Sequence, residues 1–368
     1  MCFGLNNIEM DNDTKFILIS HIPLPYHSIG SWSTIYGKYI SQPDNQCDAI
    51  ICPPLKLKKY PGIDYEFYSK PWYFKYKQKL LSNRFYPIIN ALKKYLDKNK
   101  QHKIIIQIID NLGLIKYIDE YLQKNKIRNN VYLQYSYHGF SILNVKTMQF
   151  LNRSVDEIIF LTKLSYKFNL AQHSVLPDYV SVLNNGIDTK IFNTKNKQTN
   201  ESKTIFIWCS QDRPKKGLHI ILQAWNILIE NHDHIELWIV GTHEHYQGQG
   251  IRSFGRVPNH ELPKIYKQAH VYVFPTLWHE GFGLTLAEAL HCGCFCIASK
   301  IGGVPEVLNN GEYGWLIDEP HNPQHWFTAM DKYLKEKPIH PEIPSSLYSQ
   351  EAWSQGMNKI ITNAKKRV

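Results

Sequence analysis

The chain has 368 residues, of which 43% are hydrophobic and 20% charged, which suits roughly two packed domains and excludes extensive disorder or a small disulfide-stapled scaffold. The formal charge of +10 is lopsided: residues 1–150 hold 20 basic and 11 acidic side chains, whereas residues 181–368 hold 19 and 18. An anionic surface or substrate is therefore expected to meet the first half.

No apolar run approaches the ~20 residues that a membrane-spanning helix needs. Residues 1–10 lack the basic region and apolar stretch of a secretory signal. Seven scattered cysteines point to reduced thiols and a cytoplasmic address.

Along the chain, short β-rich runs at 15–20, 49–52, 103–110, 131–137 and 157–162 predict strands. Helical patterns at 112–124 and 163–172 lie between them. After the polar stretch 194–202 the alternation restarts, with strands at 204–209, 235–240, 271–274 and 295–298. Helices are expected at 218–230, 261–268, 284–291 and 323–335. Repeated βα units predict mainly parallel sheets covered on both faces. The fold class is α/β: two Rossmann-like doubly wound domains, residues 1–183 and 184–345, facing each other across a cleft. A last helix within 348–366 follows a proline-punctuated segment, so residues 346–368 are expected to cross back toward the first domain. Ligands bind outside the C-terminal ends of such strands, which makes the cleft the expected site. Cys292, Cys294 and Cys296 would share one face of a strand, and without companion ligands they read as buried core thiols. His243 and His245 around Glu244 read as a solvated loop.

The most informative stretch is 275–290. It leaves a strand, turns through Gly281 and Gly283 and enters a helix. The first amides of a helix lack intrahelical partners and sit at its positive pole, so they suit a phosphate. Glu280 precedes the helix at the cleft rim, and Glu288 lies about one and a half turns inside it. A carboxylate can accept two hydrogen bonds from a vicinal diol. One acid at the rim and one deeper can thus hold two polyols on either side of a phosphate, which describes a sugar nucleotide. The plain alternative is a helix cap followed by an ordinary helical glutamate.

Glu280 and Glu288, with seven residues between them and a Gly-Phe-Gly-Leu turn, resemble the EX7E motif of retaining GT-B glycosyltransferases, family GT4. Asn185-Gly186-Ile187-Asp188 with Phe192, Lys216-Gly217-Leu218, Gly255-Arg256-Val257, Glu261-Leu262, Gly302-Gly303 and Pro305-Glu306 follow that family's order. The likeness runs from about residue 183 to 318. In the first half it is looser, resting on the βα order, Gly30 and His138. The resemblance implies an enzyme that moves a sugar, with retention, from a nucleotide-diphosphate sugar to a glycan or lipid-linked acceptor. Such acceptors belong to cell-surface polysaccharide, lipopolysaccharide or glycoconjugate synthesis.

Carried over residue by residue, the likeness assigns Glu280 to hydroxyls of the transferred sugar and Glu288 to the ribose diol. The turn and first helical positions Phe282, Gly283, Leu284 and Thr285 would face the donor phosphates, with Val257 and Gly30 as further donor contacts. Lys216 would neutralise the departing diphosphate, and His138, at a strand end, would touch the donor sugar. The family's arginine lies five residues before the lysine, where this chain has Gln211; Arg213 is the expected substitute. The loop 23–31 lacks the usual double glycine and offers only Gly30. No DxD-like cluster is placed to hold a metal, so the basic pair is expected to serve, with no cofactor beyond the donor itself.

Residues 70–100 carry nine basic side chains and one acid, interleaved with Trp72, Tyr73, Phe74, Tyr76, Phe85 and Tyr86. Such stretches bind anionic membrane surfaces, which predicts peripheral attachment at a cytoplasmic membrane face; the bland alternative is a solvated helix with its aromatics in the core. No nucleic-acid module is recognisable, so no nucleic-acid partner is expected. Two rival functions remain at this point: a GT-B-fold sugar-nucleotide epimerase and a non-catalytic nucleotide-binding module.

Overall fold

In the run Lys103–Ile109 five of seven residues are isoleucine. Such a strand can bury both faces only inside a parallel sheet, and that is where it lies. The computed structural model describes residues 13–26, 31–69, 84–140, 143–172, 178–199 and 201–368. In the first lobe β1 (Thr14–Ile19), β2 (Ala49–Cys52), β3 (Asp64–Phe67), β4 (Lys103–Ile109), β5 (Val131–Tyr137), β6 (Glu157–Phe160) and β7 (Tyr179–Val182) form one sheet. Its order is β3-β2-β1-β4-β5-β6-β7, with every pairing parallel. Helices α1 (Ser31–Ile40), α2 (Tyr86–Lys98), α3 (Leu112–Lys124), α4 (Val145–Ser154) and α5 (Lys163–Gln172) connect the strands.

The second lobe repeats the plan. Strands β8 (Thr204–Cys209), β9 (Ile235–Val240), β10 (Ile251–Gly255), β11 (Val271–Phe274), β12 (Phe295–Ser299) and β13 (Gly314–Ile317) pair in parallel in the order β10-β9-β8-β11-β12-β13. Its helices are α6 (Leu218–Asn231), α7 (Leu262–Tyr266), α8 (Leu284–His291), α9 (Val304–Val307) and α10 (Pro323–Glu336). The strand order reverses at β1/β4 in one sheet and at β8/β11 in the other, the places where doubly wound sheets open a crevice.

The last helix, α11 (Gln350–Lys365), begins at Ser349, whose side chain accepts from the Ala352 amide. Trp353, Met357, Ile361 and Ala364 on α11 join Phe16, Leu18, Tyr36 and Ile105 in one core layer of the first lobe. Tyr39 Oη donates to Asn358 Oδ1 at 2.6 Å, and Gln46 Nε2 to Thr362 Oγ1 at 3.1 Å.

All four edge strands, β3, β7, β10 and β13, fall outside the set expected from the sequence. Three of these, β3, β7 and β10, mix polar with apolar residues, as in Asp64–Phe67, so they lose the continuous apolar signal, and β13 is only four residues long. The cysteines also need correcting. Cys292 caps α8 and β12 starts only at Phe295, so the three thiols do not line one strand face. They are buried in the second lobe's core, where burial raises each thiol above its ordinary value.

Candidate functional site

A cavity of about 840 Å³ lies between the lobes, walled by α1, the β5 end and the turns after β8 and β11. On the second-lobe side the chain leaves β8 and tightens into a short 3-10 turn, Pro214–Lys216. Gly217 ends it at φ +70°, and a Cβ there would stand 1.9 Å from the Pro275 carbonyl oxygen. Only glycine permits that approach, which seats Lys216 beside the β11 end. Lys216 Nζ donates to Glu280 Oε2 at 2.5 Å, with both side chains about a fifth exposed. The backbone under Glu280 is fixed by the Gly303 amide, which donates to its carbonyl at 2.8 Å.

Past Glu280, Gly281 approaches the other lobe so closely that a Cβ would lie 2.6 Å from the His138 carbonyl oxygen. Phe282 is buried against Tyr348, ring centroids 5.0 Å apart, and anchors the turn. Gly283 caps α8 at φ +93°. Leu284 and Thr285 follow in the first turn, where helix amides have no intrahelical acceptor. Thr285 Oγ1 accepts from the Tyr272 hydroxyl at 2.8 Å.

Glu288 sits one turn deeper and is buried. Asn259 Nδ2 donates to its Oε1 at 3.2 Å, and its Oε2 has no hydrogen-bond partner among the described residues. Burial pushes the carboxyl up to about 7, against the smaller opposing pulls of Asn259 and the Lys38 charge. A buried acceptor with a vacant valence is what a hydroxyl-bearing ligand would satisfy.

From the first lobe, His138 enters at the end of β5. Its backbone amide donates to the Asp110 carboxylate, its ring Nε2 lies 3.2 Å from Ser136 Oγ, and burial holds the imidazole down to about 4. Lys38 on α1 pairs across the cleft with Asp188 at 2.7 Å. Glu306 accepts from the Leu164 amide at 2.9 Å and from Asn184 Nδ2 at 3.1 Å, tying the lobes below the cavity.

Of the residues singled out in the sequence, Glu280, Glu288, Lys216, His138, Phe282, Gly283, Leu284 and Thr285 all line this cavity. Arg213 does not: it is exposed at the start of the 3-10 turn, outside the lining. Val257 packs against the second lobe's core instead, and its neighbours Pro258 and Asn259 reach the cavity. Gly30 and residues 70–83 lie outside the described residues. On α2 the lysines Lys93, Lys94 and Lys98 face solvent, while Ala91, Leu92, Tyr95 and Leu96 are buried. Sequence reading missed Asn259 and Lys38. Asn259 belongs to none of the motifs named in the sequence, and Lys38 is one cation among many. Among the described residues no three His, Cys, Asp or Glu side chains gather as a metal site, and no helix is long and apolar enough to cross a membrane.

Comparison with known proteins places these features in context. Residues 189–367 match the profile of the family described as Glycosyl transferases group 1. A phosphatidylinositol N-acetylglucosaminyltransferase subunit of Saccharomyces cerevisiae is 23% identical over 202 residues, covering 49% of this chain and 44% of that protein. The chain thus spans less than half the length of that relative. Among solved structures, sucrose-phosphate synthase from Thermosynechococcus elongatus superposes with a TM-score of 0.73 at 15% identity, over 96% of this chain and 100% of the other. An Anabaena protein solved with UDP and glucose gives 0.67 at 13% identity, over 95% and 99%. These likenesses establish the GT-B arrangement of two facing lobes.

Proposed function

We propose, from the premise that this chain belongs to the group 1 glycosyl transferases (family GT4, retaining, GT-B), that it moves a sugar from a nucleotide-diphosphate sugar to an acceptor hydroxyl. Residues 1–183 hold the acceptor and residues 184–345 the donor, with 346–368 completing the first lobe. One observation carries the reading: Lys216, Glu280, the first turn of α8 and the half-satisfied Glu288 line a single cavity. The ribose diol supplies the donors that Glu288 Oε2 lacks. The diphosphate lies over the amides of Gly283, Leu284 and Thr285.

Lys216 and Glu280 form an ion pair. An arriving diphosphate competes for the ammonium, and Glu280 is then released to accept from hydroxyls of the sugar. As the glycosidic bond breaks, negative charge grows on the leaving phosphate beside Lys216. A cation already in place stabilises that charge without reorganisation. The same phosphate takes the proton of the attacking hydroxyl on the same face of the sugar, which gives retention. This assignment uses no metal and no further cofactor.

The acceptor is a glycan or lipid-linked hydroxyl of a cell-surface or glycoconjugate pathway. The phosphatidylinositol in the yeast relative's name favours a lipid-linked one. The exposed lysines of α2 together with residues 70–83 rest on the cytoplasmic face of an anionic membrane. A thermal-shift panel of uridine, guanosine and adenosine diphosphate sugars tests the donor, followed by transfer assays with the best stabiliser and proton NMR of the product anomer. The expected result is one stabilising base and a retained anomer; the absence of both stabilisation and turnover across the panel refutes the proposal. Sedimentation with phosphatidylserine vesicles at low salt tests the membrane contact, and an unbound supernatant removes it.

A further inference from the structure

Beneath the first sheet runs a line of polar side chains that the cavity itself does not use. Gln107 on β4, Gln134 on β5 and Glu157 on β6 occupy paired register positions, so their side chains share one face. All three are 1% exposed or less, and polar groups in such a place must find partners. They find one another. Gln134 Nε2 donates to Glu157 Oε2 at 2.8 Å, Gln107 Nε2 to Gln134 Oε1 at 3.1 Å, and Tyr36 Oη to Gln107 Oε1 at 2.7 Å. Ser181 Oγ donates to the other Glu157 oxygen at 2.5 Å, and Arg367 Nη1 lies 4.0 Å from Oε2. Beyond Tyr36, Ser136 Oγ is 3.4 Å away, and from there His138 Nε2 is 3.2 Å.

The line has a direction. A carboxylate only accepts, so Gln134 presents its nitrogen to Glu157 and its oxygen to Gln107, and Gln107 in turn presents its oxygen to Tyr36. The one proton of Tyr36 is committed there, and burial keeps that phenol protonated by raising it well above its ordinary value. To Ser136, Tyr36 offers a lone pair. Ser136 directs its proton to that lone pair and offers its own lone pair to the imidazole. We infer that this buried line, from Glu157 through Tyr36 to Ser136, positions His138 as the Nε2–H tautomer and leaves Nδ1 to accept from a hydroxyl of the bound substrate. The inference rests on the transferase reading of the cavity. Tyr36 and Ser136 are positioning residues and do not line the cavity. Trp353 packs edge-on to Tyr36 at 5.0 Å and Met357 Sδ lies 3.9 Å from Gln107 Nε2, so α11 walls the line off from water.

The test is long-range proton–nitrogen NMR on the full chain labelled with nitrogen-15 histidine, with His138 assigned by the signals lost in His138→Gln. The wild type is expected to show a protonated Nε2 and an unprotonated Nδ1. Tyr36→Phe removes the acceptor for the Ser136 proton, which turns to Nε2 and switches the ring to Nδ1–H. Gln107→Met works from further along the line, freeing the Tyr36 proton toward Ser136, and serves if Tyr36→Phe fails to fold. In either variant kcat falls about tenfold with the donor KM within about twofold. A wild-type Nδ1–H ring, or an unchanged tautomer in the variants, overturns the inference. A switched tautomer with unchanged kcat overturns it too, by making the line structural only. If the tautomers behave as described while even the wild type turns over no nucleotide sugar, the transferase reading fails and the tautomer assignment stands.

Discussion

Replacing Glu288 by glutamine separates what this carboxyl does for folding from what it does for binding. Held at about 7 in the folded chain against an ordinary 4.5, the group keeps its proton in the native state over a window where the unfolded chain has lost it. Stability therefore falls as pH rises from about 4.5 to about 7 and is level above that. At 1.36 kcal/mol per pH unit the native state gives up about 3 kcal/mol across the window. Glu288→Gln retains an oxygen for Asn259 and removes the charge. Its unfolding free energy in urea titrations is expected to match wild type near about pH 5 and to exceed it by up to about 3 kcal/mol near about pH 8. Binding runs the other way: a ribose diol donates to the ionised form, so donor affinity in wild type rises through about pH 7 and in the variant stays low and flat. Titration calorimetry with the stabilising nucleotide at both pH values measures this, repeated in His260→Asn because that imidazole lines the same cavity. A variant no more stable than wild type at the higher pH, or wild-type affinity that ignores pH, refutes the reasoning.

Lys216→Ala and Glu280→Ala should each lower kcat/KM by about 10²–10³-fold. Their pair is partly exposed, so the stability of either variant should change by less than about 1 kcal/mol, checked by circular dichroism melts. Gly281→Ala places a methyl 2.6 Å from the His138 carbonyl. The lobes must then part, which should cost about 1–3 kcal/mol and lower turnover, with a larger radius of gyration in solution scattering. Trp353→Ala empties a site that is 3% exposed, against Tyr36 and Tyr39, and chemical denaturation should show a loss of about 3–5 kcal/mol.

The parts of the fold legible in sequence are those where burial is complete on both faces. β4 and β8 are apolar throughout or nearly so, and no alternative use for such runs exists in a chain of this size. β3 and β10 were hidden because an edge strand is read by water as much as by the core. In the site, local chain geometry was legible: Glu280, Gly283 and Glu288 are spaced along one turn and one helix, so their mutual placement follows from covalent distance. Asn259 bonds Glu288, and the Lys38 charge acts on it, through tertiary packing, which no local spacing encodes. Arg213 lies outside the cavity lining, at the exposed start of a turn whose shape its spacing to Lys216 does not encode. Gln107, Gln134 and Glu157 lie dozens of residues apart, and only the parallel register of β4, β5 and β6 lines them up.

The contact of α11 with Phe16, Leu18 and Ile105 fixes an order of assembly. Although the first lobe is translated first, one layer of its interior is supplied by residues made only after the whole second lobe has emerged. Until then an oily strip on the nascent half stands open to water, and halves divided near residue 183 would inherit that defect. The two lobes are built on separate sheets, yet the end of the chain completes the core of the first.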